Sequence, residues 1–196
     1  MKFAAVTFLV LVCLSATACG KSKKAALSTT TSSTTAPILP QSKTPNDWAL
    51  RVVEILMRPM NQDLTVVNGF QDPQIIIYIA NQNPATIRII KRRLNDLAQC
   101  SQRMVAMGPP PKSKSPLPKV YSQLKAACVT YVDLAQRLQK ATLFMSSGRN
   151  DVFQKGRALL RQSAGTNNKA ATQYAKAIKT AQAIPAFRRA GLQPSL

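Results

Sequence analysis

The chain has 196 residues, with 27 Lys and Arg against 7 Asp and Glu, no His, and a formal net charge of +20. Histidine is the commonest general base and a standard metal ligand, so its absence excludes most hydrolase classes and most metal sites. We therefore expect no catalytic residues, no metal site and no cofactor. The excess of cations favours anionic partners, which are lipid head groups, acidic wall polymers or nucleic acid.

The first segment of the chain is typical of an export signal. Lys2 precedes a run of about a dozen apolar residues, which is shorter than the roughly 20 residues that a membrane-spanning helix needs. The run ends at Ala16-Thr17-Ala18-Cys19-Gly20, in which small residues precede a cysteine. This stretch resembles the lipobox of bacterial lipoproteins, with Ala16 at the position where that family most often has leucine.

The resemblance implies cleavage before Cys19 and attachment of acyl chains such as palmitate to that cysteine. Residues 1–18 would then be a removed signal peptide. The mature protein would be anchored at the outer face of the cytoplasmic membrane. Ordinary secretory cleavage without a lipid is the alternative, because the same small residues also suit that peptidase.

Residues 19–44 are predicted to be the lipidated cysteine followed by a disordered tether. Eight consecutive Ser and Thr residues occupy positions 28–35, and the segment has almost no large apolar side chains to bury. Such a tether would let an anchored domain stand clear of the membrane surface. A plain solvated spacer and an O-glycosylated one are both consistent with this composition.

Helix starts are predicted wherever a capping residue precedes a proline, as in Thr44-Pro45, Asp72-Pro73, Asn83-Pro84 and Ser115-Pro116. Glycines at 69, 108 and 148 are predicted to end helices. Between these marks, the apolar spacing predicts long helices at about 45–68, 84–107, 116–147 and 151–183, and a short helix at about 73–80. Pro59 is expected to kink the first helix, and the last is expected to continue through Gly165.

These elements predict an all-α fold, an up-down four-helix bundle with a short extra helix, over residues 45–184. Residues 185–196 are expected to form a flexible tail. The bundle is predicted to be braced by one disulfide. Cys13 leaves with the signal and Cys19 carries the lipid, so Cys100 and Cys128 are left as a pair in a compartment that can be oxidising.

A hairpin that turns in the proline-rich segment 108–116 would place Cys100 and Cys128 at the same height. The same register pairs Leu97 with Tyr131, Leu94 with Leu134 and Met104 with Leu124, all of them apolar or aromatic. Two free buried thiols are the alternative. Residues 84–145 are similar to uncharacterised secreted helical-bundle lipoproteins of bacteria that carry a helix-Cys, proline-rich turn, helix-Cys arrangement. This resemblance implies no activity.

Two sets of side chains are candidates for binding. The first set is cationic and is a candidate for an anionic surface: Arg88, Lys91 and Arg92 on the second long helix, with Lys155, Lys169, Lys176 and Lys179 on the fourth. The second set is a candidate for the wall of a pocket between helices: Met60, Met104, Tyr131 and Tyr174. The alternatives are a solvated face for the cations and ordinary core filling for the second set.

The sequence therefore predicts a lipid-anchored, non-catalytic interaction module at the cell envelope. Its partner would be an anionic polymer, lipid head groups or an envelope protein. Nucleic acid is not expected, because aromatic residues are not interleaved with the cations. A small-molecule binding or sensing domain with its ligand between helices is the alternative, and an enzyme is the third hypothesis.

Overall fold

A computed structural model describes residues 39–112 and 116–192, and these ranges are helical with no strand. The predicted all-α fold is confirmed. The helices are α1 (Pro45–Arg51), α2 (Arg58–Gly69), α3 (Pro73–Ala80), α4 (Pro84–Ala98), α5 (Cys100–Met107), α6 (Leu117–Met145), α7 (Asn150–Gln182) and α8 (Pro185–Arg189). The predicted signal peptide, Cys19 and the tether up to residue 38 lie outside the described residues.

A π-helical segment, Val52–Met57, joins α1 to α2, so the backbone stays helical from the first of these helices to the second. It lies directly before Pro59, which has no N–H to donate and whose ring crowds the carbonyl of Ile55 one turn earlier. A wider turn relieves this crowding, because its hydrogen bonds reach one residue further along the chain. The distortion expected at Pro59 therefore takes the form of a π turn.

The predicted N-caps at Thr44, Asp72 and Asn83 are confirmed. Their side-chain oxygens accept hydrogen bonds from the backbone N–H groups of Asp47, Gln74 and Thr86, at 3.2, 2.9 and 3.0 Å. Each of these bonds satisfies a donor that the first turn of the helix leaves without an internal partner. These caps fix where α1, α3 and α4 begin.

Several helix boundaries differ from the prediction. The third long helix begins at Leu117 with Pro116 as its preceding residue, and the expected cap Ser115 lies outside the described residues. Gly69 is the last helical residue of α2, and Phe70 after it has a backbone that is not left-handed. Gly108 follows α5 with a φ of +73°, as its predicted role as a helix stop requires. Gly148 has the same φ, but α6 already ends at Met145, so this glycine lies in the turn before α7. The second long helix is broken at Gln99 into α4 and α5.

The predicted disulfide is present. It joins Cys100 at the start of α5 to Cys128 in the middle of α6, with Cα atoms 5.2 Å apart. The side chains predicted to pair across this hairpin are all buried in the same hydrophobic core. The expected register of the hairpin is therefore consistent with the packing.

The α6–α7 hairpin is the most extensive helix pair of the bundle. α7 runs for 33 residues, continuously through Gly165 as predicted. Small buried residues recur along it every seven positions, at Gly156, Ser163, Ala170 and Ala177. A seven-residue repeat keeps one face of a helix toward its partner, and small side chains let the two backbones approach closely.

The predicted flexible tail and the predicted disordered tether are both wrong for the residues next to the bundle. Residues 185–189 form α8, and Phe187 is fully buried with its ring 5.9 Å from that of Trp48 in an edge-on contact. At the other end, the predicted tether already meets the bundle at residue 39, because the Leu39 N–H donates to the Ala106 carbonyl at 3.3 Å. Ser42 is also buried. The bundle therefore extends beyond residues 45–184 in both directions.

Candidate functional site

The residues predicted to wall a pocket lie in the core. Met60, Met104 and Tyr131 are at most 2% exposed, and Tyr174 is 8% exposed. The Met60 sulfur lies 3.4 Å from Sγ of Cys100, so this methionine packs on the disulfide. None of the four lines the groove described below. These four side chains fill the core, so the prediction that they line a pocket is wrong.

The two tyrosines of this set stack edge to face, with ring centroids 6.1 Å apart. The Tyr174 hydroxyl donates to Oδ1 of Asn61 at 3.1 Å. Burial raises the pKa of both phenols, to about 12 for Tyr131. The hydroxyls therefore stay protonated at neutral pH, and both rings serve as apolar bulk with a polar tip.

The predicted cationic set is exposed throughout: Arg88, Lys91, Arg92, Lys155, Lys169, Lys176 and Lys179. None of these seven forms an ion pair with a described carboxylate. α4, which carries the first three, packs on α2, α3 and α6, whereas α7 packs mainly on α6. The two groups of cations therefore lie on helices that both pack on α6 but do not pack mainly against each other.

An ion-pair cluster that the sequence analysis missed surrounds Asp63. This carboxylate is 1% exposed, yet it meets Arg93 of α4 at 3.5 Å and Arg103 of α5 at 3.3 Å. Burial raises the pKa of Asp63, and the guanidinium of Arg103 opposes that rise. The sequence did contain a signal, because Met60, Asp63 and Val67 share the spacing of a buried helical face.

An open apolar groove lies between α3 and α7, and we name it the α3–α7 groove. It comprises two adjoining cavities of about 410 and 260 Å³ that share Phe70, Gln71, Leu160 and Arg161. The larger cavity is lined by Pro73, Ile76, Ile77 and Ala80 from α3 and by Phe153 and Arg157 from α7. The smaller one reaches down to Leu134 and Leu138 of α6.

The groove exists because α3 is short and α7 is long. The buried small residues of α7 face α6, which turns Phe153 and Leu160 of α7 toward a flank that the eight residues of α3 cover only in part. Ile77 of α3 stays 47% exposed as a result. An apolar concavity with few polar groups is the usual form of a small-molecule site.

The charged groups in the lining of this groove are two arginines. Arg157 and Arg161 are exposed on α7, four residues apart, so they stand on the same face one turn from each other. Neither makes an ion pair or a side-chain hydrogen bond with any described residue. No Asp or Glu belongs to the described lining. The groove thus combines an apolar floor with an unneutralised positive rim.

Neither arginine was singled out from the sequence, because the exposed cations of α7 form more than one row. Phe153, Arg157 and Leu160 lie at intervals of four and three, which places them on one side of the helix. That pattern is visible in the sequence. The incomplete cover by α3 is not, because it depends on how the short helix packs.

Within residues 39–112 and 116–192, no group of three or more Cys, Asp or Glu is placed to hold a metal ion. No helix in the same ranges has the length and hydrophobicity to cross a membrane. No protein-family model matches this chain, and no similar curated protein or solved structure was found.

Proposed function

We propose that the protein is a lipid-anchored, non-catalytic binding module at the outer face of the cytoplasmic membrane, with the α3–α7 groove as its binding site. The groove is the observation that carries this proposal. Its larger cavity of about 410 Å³ falls within the range of roughly 300–1,000 Å³ that is typical of small-molecule sites. Its floor offers apolar surface to a ligand, since burial of such surface is the main driving force for binding.

The anchoring half of the proposal is supported by the lipobox-like stretch that ends at Cys19. About 20 residues separate this cysteine from Leu39, where the described structure begins. A flexible chain of that length has a root-mean-square reach of about 25 Å. A tether of this kind would let the domain stand clear of the head groups while it remains attached to the membrane.

Substitution of Cys19 by Ala tests the anchor. We expect the variant to be released into the soluble fraction of the producing cells and to lose incorporation of labelled palmitate. The same chain with Cys13→Ala is the matched control, because that cysteine lies within the predicted signal peptide. Retention of the Cys19→Ala protein in the membrane fraction would contradict a lipid anchor.

A neutral naphthylamine fluorophore, which brightens in apolar surroundings, tests the groove. The full chain with Cys19→Ser keeps every described residue and avoids the need for detergent. We expect saturable binding, weakened about tenfold by Ile77→Asn, because the change removes apolar contact worth about 1.5 kcal/mol. Val129→Asn is the control, since Val129 is 59% exposed on α6 and does not line the groove. Equal affinity in both variants would contradict a site at the groove.

The unpaired cations support a second candidate function, adhesion to an anionic surface. The seven predicted cations are exposed, and none forms an ion pair with a described carboxylate. Attraction of lysines and arginines to anionic head groups adds about 1 kcal/mol for each residue near the surface. Such adhesion would assist the lipid anchor and would not replace ligand binding in the groove.

A further inference from the structure

The rim of the α3–α7 groove indicates the charge of its ligand. Arg157 and Arg161 flank the larger cavity and have no anionic partner among the described residues. Arg149, the residue directly before α7, differs because it forms an ion pair with Asp151 at 2.9 Å. The positive charge beside the groove is therefore available to a ligand.

We propose that the α3–α7 groove binds a single-chain alkyl carboxylate. The alkyl chain lies along Ile76, Ile77 and Leu160, and the carboxylate is held by Arg157 and Arg161. This inference rests on the proposed function of the groove, and it adds the chemical class of the ligand. No bond is made or broken on binding.

The spacing of the two arginines suits one small anion. Side chains four residues apart on a helix have Cβ atoms about 5–6 Å apart, so two guanidinium groups can converge on one carboxylate. Each guanidinium presents a planar fork of N–H donors that matches the two carboxylate oxygens. Hydrogen bonds of this charge-assisted kind are stronger than neutral ones.

The size of the larger cavity, where the alkyl chain is placed, favours one alkyl chain over two. Its volume of about 410 Å³ lies toward the lower end of the range of small-molecule sites. A two-chain phospholipid needs room for both chains as well as its head group. A free alkyl carboxylate needs room for one chain, while its head group rests at the open rim beside the arginines.

Competition against the neutral fluorophore tests the ligand class, with the Cys19→Ser chain at pH 8. Dodecanoate, dodecanol and dodecyltrimethylammonium carry the same chain with a negative, neutral and positive head, and each is used below its micelle concentration. We expect dodecanoate to displace the fluorophore at a concentration about tenfold or more below that of the other two.

The double variant Arg157→Gln/Arg161→Gln should abolish this preference, measured as the ratio of the displacing concentrations of dodecanoate and dodecanol, in which any change in the affinity for the fluorophore itself cancels. Arg88→Gln/Arg92→Gln is the matched control, because it removes two exposed, unpaired arginines with the same spacing from α4. The control should keep the preference of the unsubstituted chain. A loss of preference in both double variants would mean that general charge, not the groove rim, selects the head group.

The outcomes separate this inference from the proposed function. Failure of the fluorophore to bind would overturn both. Binding of the fluorophore with equal displacement by all three amphiphiles would overturn only the carboxylate. Dodecyl phosphate serves as a fourth competitor, and displacement about tenfold better than by dodecanoate would overturn the carboxylate in favour of a phosphate head group.

Discussion

Asp63 shows how this strongly basic chain uses one of its few carboxylates. It reaches from α2 to arginines on α4 and α5, and it is the one buried acidic side chain among the described residues. A buried ion pair gains little net free energy, since removing the charges from water costs about as much as their attraction returns. We therefore expect Asp63 to affect the free energy of unfolding mainly through the pH dependence of that free energy.

Asp63→Asn tests this dependence. Burial raises the pKa of Asp63 above the unfolded value of 3.8. Between the two pKa values the folded state holds a proton that the unfolded state has released, so this carboxyl lowers the free energy of unfolding as pH rises through that window.

We expect the stability of the unsubstituted protein relative to Asp63→Asn to fall from pH 3 to pH 6. Urea unfolding can be followed by the fluorescence of Trp48, the single tryptophan of the chain. The difference between the two proteins removes the contributions of all other carboxyl groups. A difference that stays constant or rises with pH would contradict a raised pKa.

For single residues, the sequence predicted which side chains are buried better than it predicted what those side chains contact. The helical phase placed Tyr131 and Tyr174 on inward faces, and both are buried. The same phase placed Met60 in a wall of a pocket, although it packs on the disulfide. Whether an inward side chain lines a cavity or fills it depends on the separation of helices, which the sequence pattern does not specify.

The α6–α7 hairpin depends on a close approach at Gly156. A Cβ atom at this position would lie 2.7 Å from Cγ of Met145 and 2.9 Å from the backbone oxygen of Ala141. The backbone atom cannot move aside without shifting α6. By contrast, a Cβ at Gly165 on the same helix would meet nothing within 4 Å.

Gly156→Ala and Gly165→Ala therefore form a matched pair with opposite expected signs. Alanine favours a helix over glycine by about 1 kcal/mol, so Gly165→Ala should raise the free energy of unfolding by about 0.5–1 kcal/mol. Gly156→Ala should lower it by about 1–3 kcal/mol through overpacking. Urea unfolding checks both. Stabilisation by Gly156→Ala would show that the helices are not in close contact there.

The disulfide is the second constraint at the scale of elements. It closes a sequence separation of 28 residues, for which the chain-entropy model gives a stabilisation of about 3–4 kcal/mol. We expect Cys100→Ala/Cys128→Ala to lose about this much in the free energy of unfolding. Thiol counting on the denatured chain with Cys13→Ala and Cys19→Ser is the direct check, because only Cys100 and Cys128 then remain. Two reactive thiols in the exported protein would contradict the bridge.

The elements were largely predictable, because their signals are local. Caps such as Asn83 specify helix starts through side-chain hydrogen bonds to the next turn. α8 was missed since five residues carry little local signal, and its place is fixed by the packing of Phe187 against Trp48. Pro59 predicted a distortion but not its form, because a kink and a wider turn both relieve the crowding that the proline ring causes.

At the scale of the whole molecule, positive charge is in large excess. Cations outnumber carboxylates by 27 to 7, and the exposed cations of α4 and α7 stand on helices that each pack on α6. A protein of this charge is attracted to anionic membranes over a distance of about 8 Å at physiological ionic strength. That attraction is predicted to act together with the lipid anchor.

Vesicle binding tests the predicted attraction. The Cys19→Ser chain should sediment with vesicles that contain phosphatidylglycerol and not with pure phosphatidylcholine, and high salt should release it. The charge reversals Lys91→Glu, Arg92→Glu and Lys176→Glu together should weaken binding at least about tenfold. Binding that ignores both salt and these substitutions would contradict an electrostatic attachment.

Methyl NMR of the Cys19→Ser chain during titration with dodecanoate tests most directly whether the α3–α7 groove is a ligand site. Binding in the groove should give saturable shifts at the methyl groups of Ile76, Ile77 and Leu160, which line the larger cavity. Ile89, 53% exposed on α4 and outside this groove, should not shift. Shifts centred on Ile89, or no saturable shifts at all, would contradict the assignment of the groove as the binding site.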